Sequence, residues 1–140
     1  MIDTNVLKKM FVLAGIDKTK LHETLRQLGP PPKKAKDLWS QQRPTTGYCY
    51  AVTEVVSYFL KKRNVPHKTF RLAMEDGGSH WFIRLGQEGD GAIIDLTADQ
   101  IDNPFNYEKA NPKSPRINQH MKKYGISKGA EAIAGKMQLL

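Results

Sequence analysis

Between Gly47 and Pro66 the chain repeats its apolar residues with a helical period, placing Val52, Val55, Val56, Phe59 and Leu60 at i, i+3, i+4, i+7 and i+8. That spacing lines one face of an α-helix, so Tyr48 to Arg63 is expected to be helical with a single buried stripe. Thr45 or Thr46 is available to cap its start, and Asn64-Val65-Pro66 ends it. A one-sided helix must lay its stripe on a partner. The residues that follow supply one. Lys68 to Met74 suits a strand, Glu75-Asp76-Gly77-Gly78 a turn, and Ser79 to Leu85 and Ala92 to Leu96 are two β-favouring runs joined by the glycine-rich Gly86 to Gly91. The expected fold class is α+β, with that helix packed on a small antiparallel sheet.

The flanks are less constrained. Val6, Leu7, Met10, Phe11 and Leu13 are spaced for an amphipathic helix ending near Gly15, and a second helix is expected from Lys18 to Leu28, where Gly29 stops it. Pro30-Pro31-Pro32 must be extended, because proline fixes φ and biases its predecessor away from the helical region. After Asp102, Pro104, Pro112 and Pro115 interrupt any regular pattern. Loops are expected there, with a short helix from Ile117 to Tyr124 and either a helix or a loose tail from Ser127. A chain of 140 residues with 39% apolar content fits one domain with one core. Its parts are a helical N-terminal extension (1–40), a core (47–100) and a loop-rich basic C-terminal region (101–140).

The net charge of +8 is uneven: residues 1–46 carry +5, 47–100 carry −1 and 101–140 carry +4. Basic flanks around a near-neutral middle permit weak, nonspecific attraction to nucleic acid or an acidic partner. They lack runs of five like charges and the basic-aromatic pattern of single-strand binders, so a solvated surface is the simpler expectation. No apolar run approaches the roughly 18 to 20 residues that cross a bilayer, which argues against a membrane. With no cleavable leader pattern and a single cysteine, which forms no internal disulfide, the expected location is cytoplasmic. The sequence is silent on oligomeric state.

That cysteine carries the chemistry. Cys49 falls three residues before Val52 and seven before Val56, in the first turn of the expected helix and on its inward stripe. The first turn exposes N–H groups and about half a positive charge, which favours thiolate over thiol. Alone, a free cysteine is as readily an ordinary buried residue. His80 and Asp95 change the balance. If the Gly86–Gly91 connection turns about Gln87-Glu88, His80 stands opposite Asp95, and cross-strand neighbours lie about 4.5 to 5.5 Å apart at Cβ. A carboxylate there can accept from the imidazole.

Gly47-Tyr48-Cys49 opening a helix, Ser79-His80-Trp81-Phe82 beginning a strand and Ile93-Ile94-Asp95-Leu96-Thr97 in the next resemble, in order and context, the Cys, His and Asp motifs of the transglutaminase-like and papain-like cysteine enzymes. The pattern is also similar to that of small uncharacterised bacterial and phage proteins with His-aromatic and Asp-Leu-Thr-x-x-Gln motifs. The resemblance spans Gly47 to Gln100. It implies a Cys-His-Asp triad in which Cys49 attacks an acyl carbon of a peptide or protein, His80 moves the proton and Asp95 holds the imidazole. It also implies an oxyanion site made by the Cys49 N–H and a side-chain donor. Gln42 is the candidate, seven residues upstream, with Trp39, Gln41 and Gln100 as weaker ones.

Cysteine, histidine and aspartate also ligate zinc, but C-x-x-C or H-x-x-x-H spacing is missing, so neither a metal nor another cofactor is expected. His22, His67 and His120 fall outside any such pattern and are expected on the surface. The rival from another class is a non-catalytic binding module of the same fold that uses its basic flanks.

Overall fold

A computed structural model describes residues 16–31, 39–74, 78–98, 105–113 and 125–139. The helices expected before Gly15 and from Ile117 to Tyr124, and the turn at Glu75 to Gly77, lie outside these residues. The first described helix, α1, runs Lys18–Leu28 as expected. Asp17 caps it by accepting from the Lys20 N–H at 3.0 Å, and Gly29, at φ 77°, closes it with an N–H bond to the Leu25 carbonyl. Its Leu21, Thr24 and Leu25 are buried.

The long helix, α2, spans Cys49–Lys62. Neither Thr45 nor Thr46 caps it. Residues 43–48 instead fold through two successive tight turns, Thr46 N–H to Arg43 O at 3.2 Å and Tyr48 N–H to Thr45 O at 3.0 Å. Gly47 follows at φ 82°. These turns set both threonines ahead of the helix, and Tyr48 becomes the N-cap with no side-chain cap bond. Cys49, Tyr50 and Ala51 then head the helix with N–H groups that have no intrahelical acceptor.

Strands β1 (His67–Ala73) and β2 (Ser79–Leu85) form the centre of an antiparallel sheet. Two short edges complete it, β3 (Ile93–Ile94) beside β2 and β4 (Asn111–Pro112) beside β1. The strand expected from Ala92 to Leu96 thus contracts to two residues. It stops because Asp95 turns back on itself, accepting from both the backbone and hydroxyl of Thr97.

The register also differs from the expected one. Ile83 pairs with Ile94 and Arg84 with Ile93, so the partner strand is displaced by two residues and His80 no longer lies directly opposite Asp95. The connection is the cause. Gly91 N–H bonds Leu85 O at 2.8 Å and Gly89 N–H bonds Gly86 O at 3.1 Å, so the loop is centred on Glu88-Gly89. A Cβ on Gly91 would sit 2.6 Å from Leu85 O, and Gly89 turns at φ 68° with Phe70 and Lys68 against it. A displacement of two preserves side-chain alternation, so His80 and Asp95 still share a face.

The sheet is covered on both faces. One face meets α2: Ile83 and Ile94 pack with Val52, Val55, Val56 and Leu60, and with Leu25 of α1. The C-terminal helix α3 (Lys128–Lys136) joins this core through Ala130, Ile133 and Ala134. Ser127 caps α3, and its own N–H bonds the buried Glu54 carboxylate of α2 at 2.8 Å. The opposite face carries Phe70, Leu72 and Phe82, covered by Phe105 and Tyr107 from a short 3₁₀ segment region. Among the described residues no helix is long and apolar enough to cross a membrane.

Candidate active site

Cys49 is the first residue of α2 and sits where that helix meets the start of β2, its thiol donating to the Ser79 carbonyl at 3.5 Å. His80 follows Ser79 and turns to the face away from α2. There its Nε2 donates to Asp95 Oδ2 at 2.6 Å, with both side chains at most 3% exposed. The Cys49 sulfur is near enough to the same imidazole to favour its charged form. The structure brings the three sequence-predicted residues together, with thiol and carboxylate both beside the imidazole.

Electrostatics of the site follow from its burial. Burial alone pulls the His80 pKa down, but the hydrogen bond to Asp95, with the nearby Cys49 sulfur and the charges of both partners, outweighs it and raises the value to about 9. At neutral pH the imidazole is charged. Asp95 is fully engaged: Oδ1 accepts from Thr97 N at 3.3 Å and Thr97 Oγ1 at 3.4 Å, and Oδ2 accepts from His80 and from the Tyr107 phenol at 2.7 Å. Phe105 lies flat on the imidazole, with ring centres 3.7 Å apart and planes 3° from parallel. On the α2 side of β2, Arg71 donates from Nε to Ser79 Oγ at 2.6 Å, and Tyr50 meets Trp81 edge to face at 5.0 Å.

The proposed oxyanion donors are less well served. Gln42 and Gln41 are exposed on the loop ahead of α2, and the backbone carbonyl of Gln41 takes the Arg26 guanidinium. The Trp39 indole N–H is used on Pro44 O at 2.9 Å, so it is not available to an oxyanion. Gln100 lies outside the described residues. The Cys49 N–H, at the uncapped helix start, is the donor that the geometry keeps open.

His22 and His67, expected on the surface, are half-buried. His67 is held between the Val65 carbonyl at 2.9 Å and the Ser57 hydroxyl at 2.7 Å. With Nδ1 donating to the carbonyl, Nε2 accepts from serine, and burial lowers the His67 pKa, keeping the ring neutral. His120 lies outside the described residues. Among the described residues no group of three or more His, Cys, Asp or Glu converges as metal ligands do.

Two residues of the site escaped sequence reasoning, Phe105 and Tyr107. Their only sequence signal is an aromatic alternation, Phe105-Asn106-Tyr107, in a stretch otherwise read as loop. Fold and site together define an α+β domain with a buried cysteine, histidine and aspartate brought together. No family model matches the chain, and neither the curated proteins nor the solved structures contain a match.

Proposed function

We propose that the chain is a cysteine-dependent amidase of papain-like or transglutaminase-like architecture, acting on a peptide bond, a protein side-chain amide or a related acyl substrate. The observation that carries this reading is the 2.6 Å His80–Asp95 bond in a buried site, with the Cys49 thiol beside the same imidazole and at the head of a helix.

In this reading the Cys49 proton rests on His80, and Sγ adds to the acyl carbon as the carbonyl electrons move onto oxygen, which accepts from the Cys49 N–H. The charged His80 gives a proton to the departing nitrogen as the C–N bond breaks, leaving a thioester on Cys49. His80, now neutral, takes a proton from water or an amine as that nucleophile attacks the thioester. The sulfur leaves, and its proton balance with His80 is restored. Asp95 stays ionised throughout and fixes the ring. Hydrolysis, deamidation and acyl transfer share these steps and differ only in the second nucleophile and the amide chosen.

The test is covalent trapping. Incubation with an electrophilic amide or peptide library should give one adduct, located by mass spectrometry on Cys49 and lost in His80→Ala. Adduct formation that is indifferent to His80 would refute the triad and return the chain to the rival reading of a binding module.

A further inference from the structure

The His80 imidazole and the Tyr107 phenol converge on a single oxygen, Asp95 Oδ2, at 2.6 and 2.7 Å. We propose that Tyr107 is a positioning residue, which fixes the Asp95 carboxylate from the C-terminal side of the chain and moderates the proton affinity of His80. For its effect on turnover the inference rests on the amidase reading. Its effect on the imidazole does not.

A carboxylate offers about four acceptor positions, and a buried one is held in place when they are filled. Thr97 fills the Oδ1 side with its N–H and hydroxyl, His80 takes one position on Oδ2, and Tyr107 takes the other. The phenol is also a permanent donor. Burial and the neighbouring Asp95 charge push its pKa above the ordinary phenol value, so it stays protonated wherever the protein is folded. The Tyr107 ring is held edge-on against Phe82 at 4.8 Å, and β4 anchors the segment to β1, where Thr69 Oγ1 donates to Lys113 O at 2.6 Å.

The consequence for acid–base chemistry has a definite sign. A second donor on Oδ2 draws charge away from the His80 bond, so Asp95 supports the imidazolium less strongly than it would alone. Tyr107 thereby keeps His80 weak enough as a base to release its proton to a leaving group. Among the described residues, the titratable groups that act on His80 are Cys49 from α2 and Asp95 after β3, with Tyr107 acting through Asp95. Strand β1 places only Leu72 opposite it.

The experiment is the side-chain NMR titration of His80, assigned by comparison with His80→Ala, in the full chain. Tyr107→Phe keeps the ring and its packing, and should raise the His80 pKa by up to about one unit, the tenfold equivalent of one lost hydrogen bond. Uniform replacement of tyrosine by a ring-fluorinated, more acidic analogue removes no side chain and should move the same titration downward, in wild type but not in Tyr107→Phe. Should Tyr107→Phe fail to fold, the fluorinated wild type decides alone. An unmoved titration, or one moving the opposite way, overturns the inference. Under the amidase reading Tyr107→Phe should also lower kcat with little change in KM. A Tyr107 effect on His80 in a chain whose Cys49 never forms an adduct would sink the amidase alone. A trapped Cys49 adduct with no Tyr107 effect would sink this inference alone.

Discussion

The two faces of the sheet are built from different materials. The centre of the α2 face is aliphatic, with Ile83 and Ile94 against Val52, Val55, Val56 and Leu60. The other face is aromatic and titratable, with Phe82, Phe105 and Tyr107 enclosing His80 and Asp95. The first face is fastened by many interchangeable contacts that need only shape and volume. The second depends on a few directed bonds, each with one geometry that works. Cys49 stands at the border, attached to the aliphatic layer by its helix and to the polar one by its sulfur. The difference teaches that stability and chemistry are carried by separate layers here, and substitutions can separate them.

The largest separation is expected at Cys49. Cys49→Ala should reduce adduct formation and turnover to background, while unfolding free energy falls only on the order of 1 kcal/mol, the scale of one lost buried contact. Activity and denaturant unfolding measured on the same variant check this, and retained turnover would break the comparison. On the aliphatic side the effects invert. Leu60, at 0% exposure, should cost about 2 to 5 kcal/mol when changed to alanine, and the protein that remains folded should still form the Cys49 adduct.

A third test uses pH. The folded His80 pKa of about 9 lies above its ordinary 6.5, so the folded state holds this proton more tightly than the unfolded state. The stabilisation is therefore complete below about pH 6.5 and lost as pH rises through about 9, at most on the order of 3 kcal/mol. Urea unfolding from pH 6 to 10 should show this fall, and Asp95→Asn should largely abolish it. The smallest expected effect is at exposed Gln42: Gln42→Ala should leave turnover within about tenfold of wild type, whereas a loss of about a hundredfold or more would assign it the oxyanion.

Legibility in the sequence divides along the same border. The stripe from Val52 to Leu60 located α2 to within a residue at either end, and Ser79 to Leu85 matched β2, because repeated burial on one face leaves a period in the residues themselves. The pairing of His80 with Asp95 was legible for a subtler reason: the register was wrong by two, and alternation forgives an even error. Directed contacts fared worse. The helix cap differs from expectation because Thr45 and Thr46 resemble caps, and only the turns at 43–48 show why they are not. Phe105 and Tyr107 reach His80 and Asp95 from a segment beyond the strands, and a contact made once has no period to read.

The order of the segments has a consequence in time. The ribosome delivers α2 and its thiol first, the His80 strand next, the aromatic segment after that, and α3 of the α2-side core last. A chain that has emerged only as far as Thr97 has the nucleophile and both partners of the His80–Asp95 bond, but neither the ring that lies on the imidazole nor the phenol that completes the carboxylate. Completion of the site is therefore expected to wait for the 105–113 segment, which emerges after the thiol and the His80–Asp95 pair.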